Sequence, residues 1–163
     1  MKIKITDKVY SDTLLASQKV QEWKDIGNEV VFTNGCFDVF HNGHLEVLQK
    51  SSILGDKLIV GLNSDFSVSK IKGKNRPIYN EMDRAMILAS ITFVDMVVLF
   101  KEETPLELIS CLIPDVLVKG GDYKKEEIVG AEIVTQHGGE VKIVDILEGY
   151  STSKIIKKLK SLN

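Results

Sequence analysis

The chain has 163 residues, of which 44% are hydrophobic and 27% charged, with a net charge of −2. Its length suits a single domain, residues 1–163, with enough apolar residues for a core. The charge balance gives no basic surface for nucleic acid, no apolar run is long enough to span a bilayer, and Cys36 and Cys111 make neither a disulfide framework nor a four-cysteine zinc site.

In chain order, Met1-Lys2-Ile3-Lys4 leads into Thr6-Asp7-Lys8 and not into an apolar leader core, so a cytoplasmic location is expected. A helix is predicted over Ser11–Ile26, with Trp23 packing it on a sheet and Gly27 ending it. Strands are predicted over Glu29–Thr33, Lys57–Leu62, Asp95–Phe100, Asp115–Val118 and Glu140–Asp145. Their short, nearly continuous apolar cores suit strands covered on both faces. Between and after them, helices are predicted over His44–Leu54, Met82–Ile91, Pro105–Leu112, Lys125–His137 and Thr152–Ser161. Thr104-Pro105 reads as a cap followed by proline at the first helical position. The stretch from Asn63 to Glu81 reads as a long irregular loop whose cations, Lys70, Lys72, Lys74 and Arg76, are either functional or simply solvated. The alternation of strands and helices predicts an α/β fold: a doubly wound, five-stranded parallel Rossmann-like sheet with helices on both faces.

The most informative segment is Thr33-Asn34-Gly35-Cys36-Phe37-Asp38-Val39-Phe40-His41-Asn42-Gly43-His44. It joins an apolar strand to an amphipathic helix. A helix N-terminus exposes unpaired N–H groups and partial positive charge, which suits phosphate. Gly35 and Gly43 let backbone pass close to a ligand, and His41 and His44 add imidazoles at the same end. The combination reads as a triphosphate site. In an open parallel sheet ligands bind beyond the carboxyl ends of the strands. Two further motifs follow strands in that way: Lys119-Gly120-Gly121-Asp122-Tyr123, and Gly149-Tyr150-Ser151-Thr152-Ser153-Lys154 at the start of the last helix. The second is either a phosphate cradle or a simple N-cap.

His-x-Gly-His preceded by T-N-G-C-F-D resembles the signature of the nucleotidyltransferase superfamily. Further segments, Arg76-Pro77-Ile78, Asp83-Arg84, Pro114–Tyr123, Gly130-Ala131-Glu132 and Gly149–Ile156, resemble the adenylyltransferases of ADP-heptose biosynthesis. Many superfamily members carry an arginine where Ile156 stands, and the heptose branch lacks it too. No kinase-sized segment is present, so the chain is similar to the stand-alone form of this family.

That resemblance implies transfer of AMP from ATP to a sugar 1-phosphate, with release of pyrophosphate. It implies catalytic roles for His41, His44 and Lys72. Nucleotide binding falls to Asn34, Gly35, Cys36, Phe37, Gly43, Lys119, Gly120, Asp122, Tyr150, Ser151, Thr152 and Ser153, and sugar-phosphate binding to Asp38 and Arg76. ATP is the co-substrate. Mg²⁺ is expected on its phosphates and on water, with no metal site made by the protein. A two-fold homodimer is expected, with neither nucleic acid nor membrane as partner. Other readings stand beside these: a zinc pair at His41 and His44, a nucleophilic Cys36, a cytidylyltransferase for glycerol phosphate, and a non-catalytic nucleotide-binding protein on the same fold.

Overall fold

The computed structural model describes residues 4–147 and 149–162. A 3-10 turn over Ile5–Lys8 leads to strand β1 (Val9–Tyr10) and helix α1 (Thr13–Asp25). Then come β2 (Val30–Gly35), α2 (Asn42–Ser52), β3 (Lys57–Asn63), α3 (Asp65–Lys72), α4 (Glu81–Ser90) and β4 (Met96–Phe100). The remainder is α5 (Leu106–Leu112), β5 (Val116–Gly120), a second 3-10 turn (Lys125–Glu127), α6 (Ala131–Gln136), β6 (Glu140–Val144) and α7 (Thr152–Lys160).

The sheet is parallel throughout, in the order β1-β4-β3-β2-β5-β6. Side chains alternate along each strand. Val30 and Phe32 of β2 join one core with Ala16 and Val20 of α1, Ile109 of α5 and Val134 of α6. Val31 joins the other core, with Leu48 of α2 and Ala85, Leu88 and Ala89 of α4. The predicted class, a doubly wound Rossmann-like α/β fold, is therefore present.

Three expectations are corrected. The sheet has six strands among the described residues, not five, because β1 pairs with β4 through Val9↔Val97 and Tyr10↔Val98. Two half-buried residues are too few to show a periodicity. The Asn63–Glu81 stretch is not all irregular: α3 fills its first half, opened by the Ser64 hydroxyl, which accepts from the Ser67 N–H, and closed by Gly73 at φ 99°. The predicted Lys125–His137 helix is split, with α6 beginning only after Gly130. That glycine sits at φ 87°, where a Cβ would come within 2.6 Å of Ile109 Cδ1.

The amino end of the sheet is tied down by carboxylates. Asp115 accepts from the Val30 N–H at 2.8 Å and pairs with Lys24, while Asp95 accepts from the Leu58 N–H at 2.9 Å and pairs with Lys57. The carboxyl end is left open. The strand order reverses there between β2 and β5, which creates a crevice. No described helix is long and apolar enough to cross a membrane.

Candidate active site

That crevice is a cleft of about 740 Å³ at the carboxyl ends of β2 and β5. A groove of about 870 Å³ runs along α6 from the Lys125–Glu127 turn to the amino end of β6, but it is lined by neither histidine nor cysteine. Every residue expected to have a catalytic or binding role borders the cleft except Asp122, which is exposed and lies outside its lining. The chain turns at Gly121, φ 113°, and it is Tyr123 that comes back to border the cleft.

The loop from β2 to α2 is shaped by backbone in the left-handed region, with Phe37 at φ 46° and Val39 at φ 51°. A β-branched residue there is strained, and such strain clusters at ligand sites. His41 is the N-cap of α2, and its Nδ1 accepts from the His44 N–H at 3.3 Å. With Nδ1 accepting, the proton of neutral His41 sits on Nε2, which can donate to an anion. The two rings stack, with centroids 3.7 Å apart and planes at 17°. Gly43 permits this packing, because a Cβ there would lie 3.0 Å from both His41 Cε1 and Tyr150 Cβ.

His44 is held between Phe37, whose ring meets it edge-on at 5.3 Å, and Phe40 at 5.6 Å. Its Nδ1 is buried, with no hydrogen-bond partner among the described residues. Burial, then the neighbouring His41, push the His44 imidazole down from 6.5 to about 4, and burial also lowers His41. Both histidines are thus neutral near pH 7.

Asp38 is 1% exposed. Its carboxylate accepts from Arg76 Nε at 2.6 Å and from the N–H groups of Ile78 and Tyr79, so it is fully engaged within the chain. Burial alone would raise this carboxyl; the Ile78 N–H, Arg76 and the Tyr79 N–H outweigh it and hold Asp38 below the usual carboxylate range. Its backbone carbonyl accepts from the Thr152 hydroxyl at 2.7 Å. One residue therefore joins the histidine loop, the Arg76 segment and the start of α7.

The three hydroxyls at α7 divide their work. Ser151 caps the helix, its Oγ accepting from the Lys154 N–H at 3.1 Å, while Thr152 is bonded to Asp38. Ser153 is exposed and borders the cleft. The capping reading thus holds for Ser151, and the helix N-terminus still faces the cleft. On the other wall, Lys119 Nζ lies 3.4 Å from Asn34 Oδ1 and over the Tyr123 ring, and burial lowers its ammonium. Gly120 leaves no room for a side chain, since a Cβ would lie 3.0 Å from Val47 Cγ2. Lys72 ends α3 and reaches the cleft from the side of β3.

Cys36 is not an activated thiol: burial raises it, and its nearest polar partner is Asn63 Oδ1 at 3.9 Å. Among the described residues no group of three His, Cys, Asp or Glu side chains is placed to hold a metal ion.

Sequence reasoning missed the role of Arg84. Its side chain is fully buried and donates to the carbonyls of Tyr79, Cys36 and Asn63 at 2.7–3.0 Å and to Asp65 at 2.7 Å. It fastens the carboxyl ends of β2 and β3 to the segment leading into α4. The signal was present in Asp83-Arg84, but a charged pair on an amphipathic helix ordinarily faces solvent.

Comparison with known proteins agrees with this geometry. The family model described as cytidylyltransferase-like matches residues 32–158, which contain every element of the cleft just described. The chain belongs to the cytidylyltransferase-like family. Among its relatives, the bifunctional protein HldE of Campylobacter jejuni subsp. doylei is 57% identical over 137 residues, covering 84% of this chain and 29% of that protein. HldE of Wolinella succinogenes is 53% identical over 143 residues, 87% of this chain and 29% of that protein. HldE of Nitrobacter hamburgensis is 48% identical over 152 residues, 93% and 31%. The chain therefore spans about three tenths of these relatives' length. A crystal structure of the lipopolysaccharide core biosynthesis protein from Thermoplasma volcanium superposes with a TM-score of 0.59 at 30% identity, covering 77% of this chain and all of the other. Membership of the nucleotidyltransferase superfamily, expected from His41-x-Gly43-His44, is borne out.

Proposed function

We propose that this protein transfers AMP from ATP to a heptose 1-phosphate, forming ADP-heptose and pyrophosphate in the cytoplasm. The observation that carries the reading is the stacked, neutral His41–His44 pair, which borders one cleft together with the α7 N-terminus. The heptose assignment is supported by the HldE relatives and by the neighbour's role in lipopolysaccharide core biosynthesis.

An oxygen of the sugar phosphate attacks the α-phosphorus. The bond from that phosphorus to the β-phosphate breaks, and its electron pair leaves on pyrophosphate. The nucleophile is largely ionised at pH 7, since the second phosphate pKa is about 6, so no protein base is needed. Catalysis is then positioning and charge stabilisation. His41 Nε2–H and His44 donate to oxygens around the α-phosphorus. The free N–H groups at the start of α7, with Ser153, cradle the β- and γ-phosphates. Lys72 and the Arg76 donors not used by Asp38 bring in the acceptor's phosphate. Asn34, Gly35, Lys119 and Gly120 hold the nucleoside. Mg²⁺ enters on the phosphates of ATP and water, where it offsets their charge. A two-fold homodimer completes the proposal, and light scattering at a mass near the 18.2 kDa chain would refute that part.

The family's description favours one second reading, a cytidylyltransferase for a small phosphate such as glycerol phosphate. A pyrophosphate-release screen decides between them, crossing ATP, CTP and GTP with both heptose 1-phosphate anomers and glycerol phosphate. Preference for ATP with one heptose anomer is the expected result. Preference for CTP with glycerol phosphate would replace the heptose reading.

A further inference from the structure

The cleft is electrically uneven. Its cations, Lys72, Arg76 and Lys119, lie around the ends of β2, β3 and β5. Three carboxylates also border it: Asp38, Glu103 and Glu127. Asp38 is bonded to Arg76 and two backbone N–H groups. Glu103 is exposed, and among the described residues its carboxylate has no bonded partner.

The backbone that carries Glu103 is held on both sides. The Ser67 hydroxyl donates to the Glu102 carbonyl at 2.7 Å and accepts from Asn63 Nδ2 at 2.8 Å, with Ser67 fully buried and Asn63 3% exposed. The Ser64 N–H bonds the Phe100 carbonyl at 2.8 Å, and Pro105 is buried at the start of α5. Glu103 is thus a carboxylate on a fixed segment at the rim of a phosphate cleft. Glu127 sits in a 3-10 turn whose recorded bonds are local backbone ones.

A free carboxylate repels phosphate and accepts well from hydroxyls. Glu103 follows β4, which is two strands from β2 in the sheet, about 10 Å at the usual spacing. It stands three residues beyond the end of β4 and borders the cleft beside Thr104 and Pro105, on the rim that Lys72 also lines.

We infer that Glu103 is a specificity-determining residue of this site, accepting hydrogen bonds from the hydroxyls of a polyhydroxylated sugar phosphate and turning its phosphate toward the histidines. This rests on the sugar-phosphate reading of the preceding subsection. Because hydroxyl groups bonded to a charged partner discriminate strongly, the effect falls on acceptor binding and leaves ATP untouched.

Steady-state kinetics with ATP and heptose 1-phosphate on the wild type, Glu103→Ala, Glu103→Gln and Glu127→Gln test this. Glu103→Ala should raise KM for the sugar phosphate about ten- to a hundredfold, with KM for ATP within about twofold. Glu103→Gln, which keeps one acceptor oxygen, should fall between it and the wild type, and Glu127→Gln should behave as wild type. An unchanged sugar-phosphate KM in Glu103→Ala, a parallel rise in the KM for ATP, or an equal effect from Glu127→Gln overturns the assignment while the activity stands. A wild type that turns over no heptose 1-phosphate takes down the sugar-phosphate reading and this inference with it.

Discussion

Asp38 and Arg76, 38 residues apart in the chain, meet at 2.6 Å between a carboxylate that is 1% exposed and a guanidinium Nε. The same Asp38 holds Thr152 through its backbone carbonyl. Asp38→Asn removes the charge and leaves Arg76 uncompensated in a nearly dry place. Breaking one half of a buried pair costs about 3–5 kcal/mol. Urea unfolding should show that loss, and kcat should fall because Arg76 loses the carboxylate that holds it at the cleft, while Thr152 keeps its bond to the Asp38 backbone carbonyl. Stability within about 1 kcal/mol of wild type would show that the pair does not brace the site.

His44→Ala should lower kcat by about 10²–10³, the usual effect of removing one donor to developing charge, with little change in KM for ATP. The motive is the His44 imidazole, stacked on His41 and bordering the cleft. Kinetics on the purified variant decide this, and an unchanged kcat removes His44 from the mechanism.

The His44 imidazole, lowered from 6.5 to about 4, sets a pH dependence. Between those values the folded chain binds fewer protons than the unfolded one, so stability rises with pH across that window and is lost as pH falls through it. In the ligand-free protein, the melting temperature of the wild type should drop more between pH 7 and pH 5 than that of His44→Gln. Parallel slopes would place the titrating group elsewhere.

Gly43→Ala inserts a Cβ that would lie 3.0 Å from both His41 and Tyr150. The ring of His41 must give by a few tenths of an ångström, so turnover should fall, by less than the hundredfold or so that a misplacement of about 1 Å costs. The fall should appear in kcat with the fold intact by circular dichroism. Wild-type turnover would mean that the stacked geometry is not needed.

Lys72 sits on the last turn of α3, and Gly73 beyond it has open space around its Cα. The exposed Lys72–Lys74 stretch should be cut by trypsin in the free protein and protected by Mg-ATP, if phosphates draw Lys72 inward. Equal cleavage in both conditions counts against closure over the nucleotide.

Most of the cleft was legible in the chain before any coordinates. His41-x-Gly43-His44 lies between an apolar strand and an amphipathic helix, and local patterning places such a motif at a strand end. Parallel strands then bring Lys119 and Ser151–Ser153 to that same end, because each follows its strand in the same direction. Asp122 was misplaced for the converse reason. A motif assigns a segment to the rim, and whether a side chain there faces inward depends on one backbone turn, here at Gly121.

The sequence by itself determined the α/β class, the five main strands, the family motif and the segments that reach the cleft, since periodicity and glycine placement are local and additive along the chain. Only the tertiary structure decided the sixth strand, whose Val9 and Tyr10 are ordered by pairing with β4. It also decided the break at Gly130, whose left-handed backbone packs against Ile109 of another helix so closely that no side chain fits. Above all it decided the partners of Asp38 and Arg84, which bind groups up to 114 residues away in the chain. Buried charges are stable only where distant donors and acceptors converge on them, and that convergence is a property of the packed fold, not of any window of sequence.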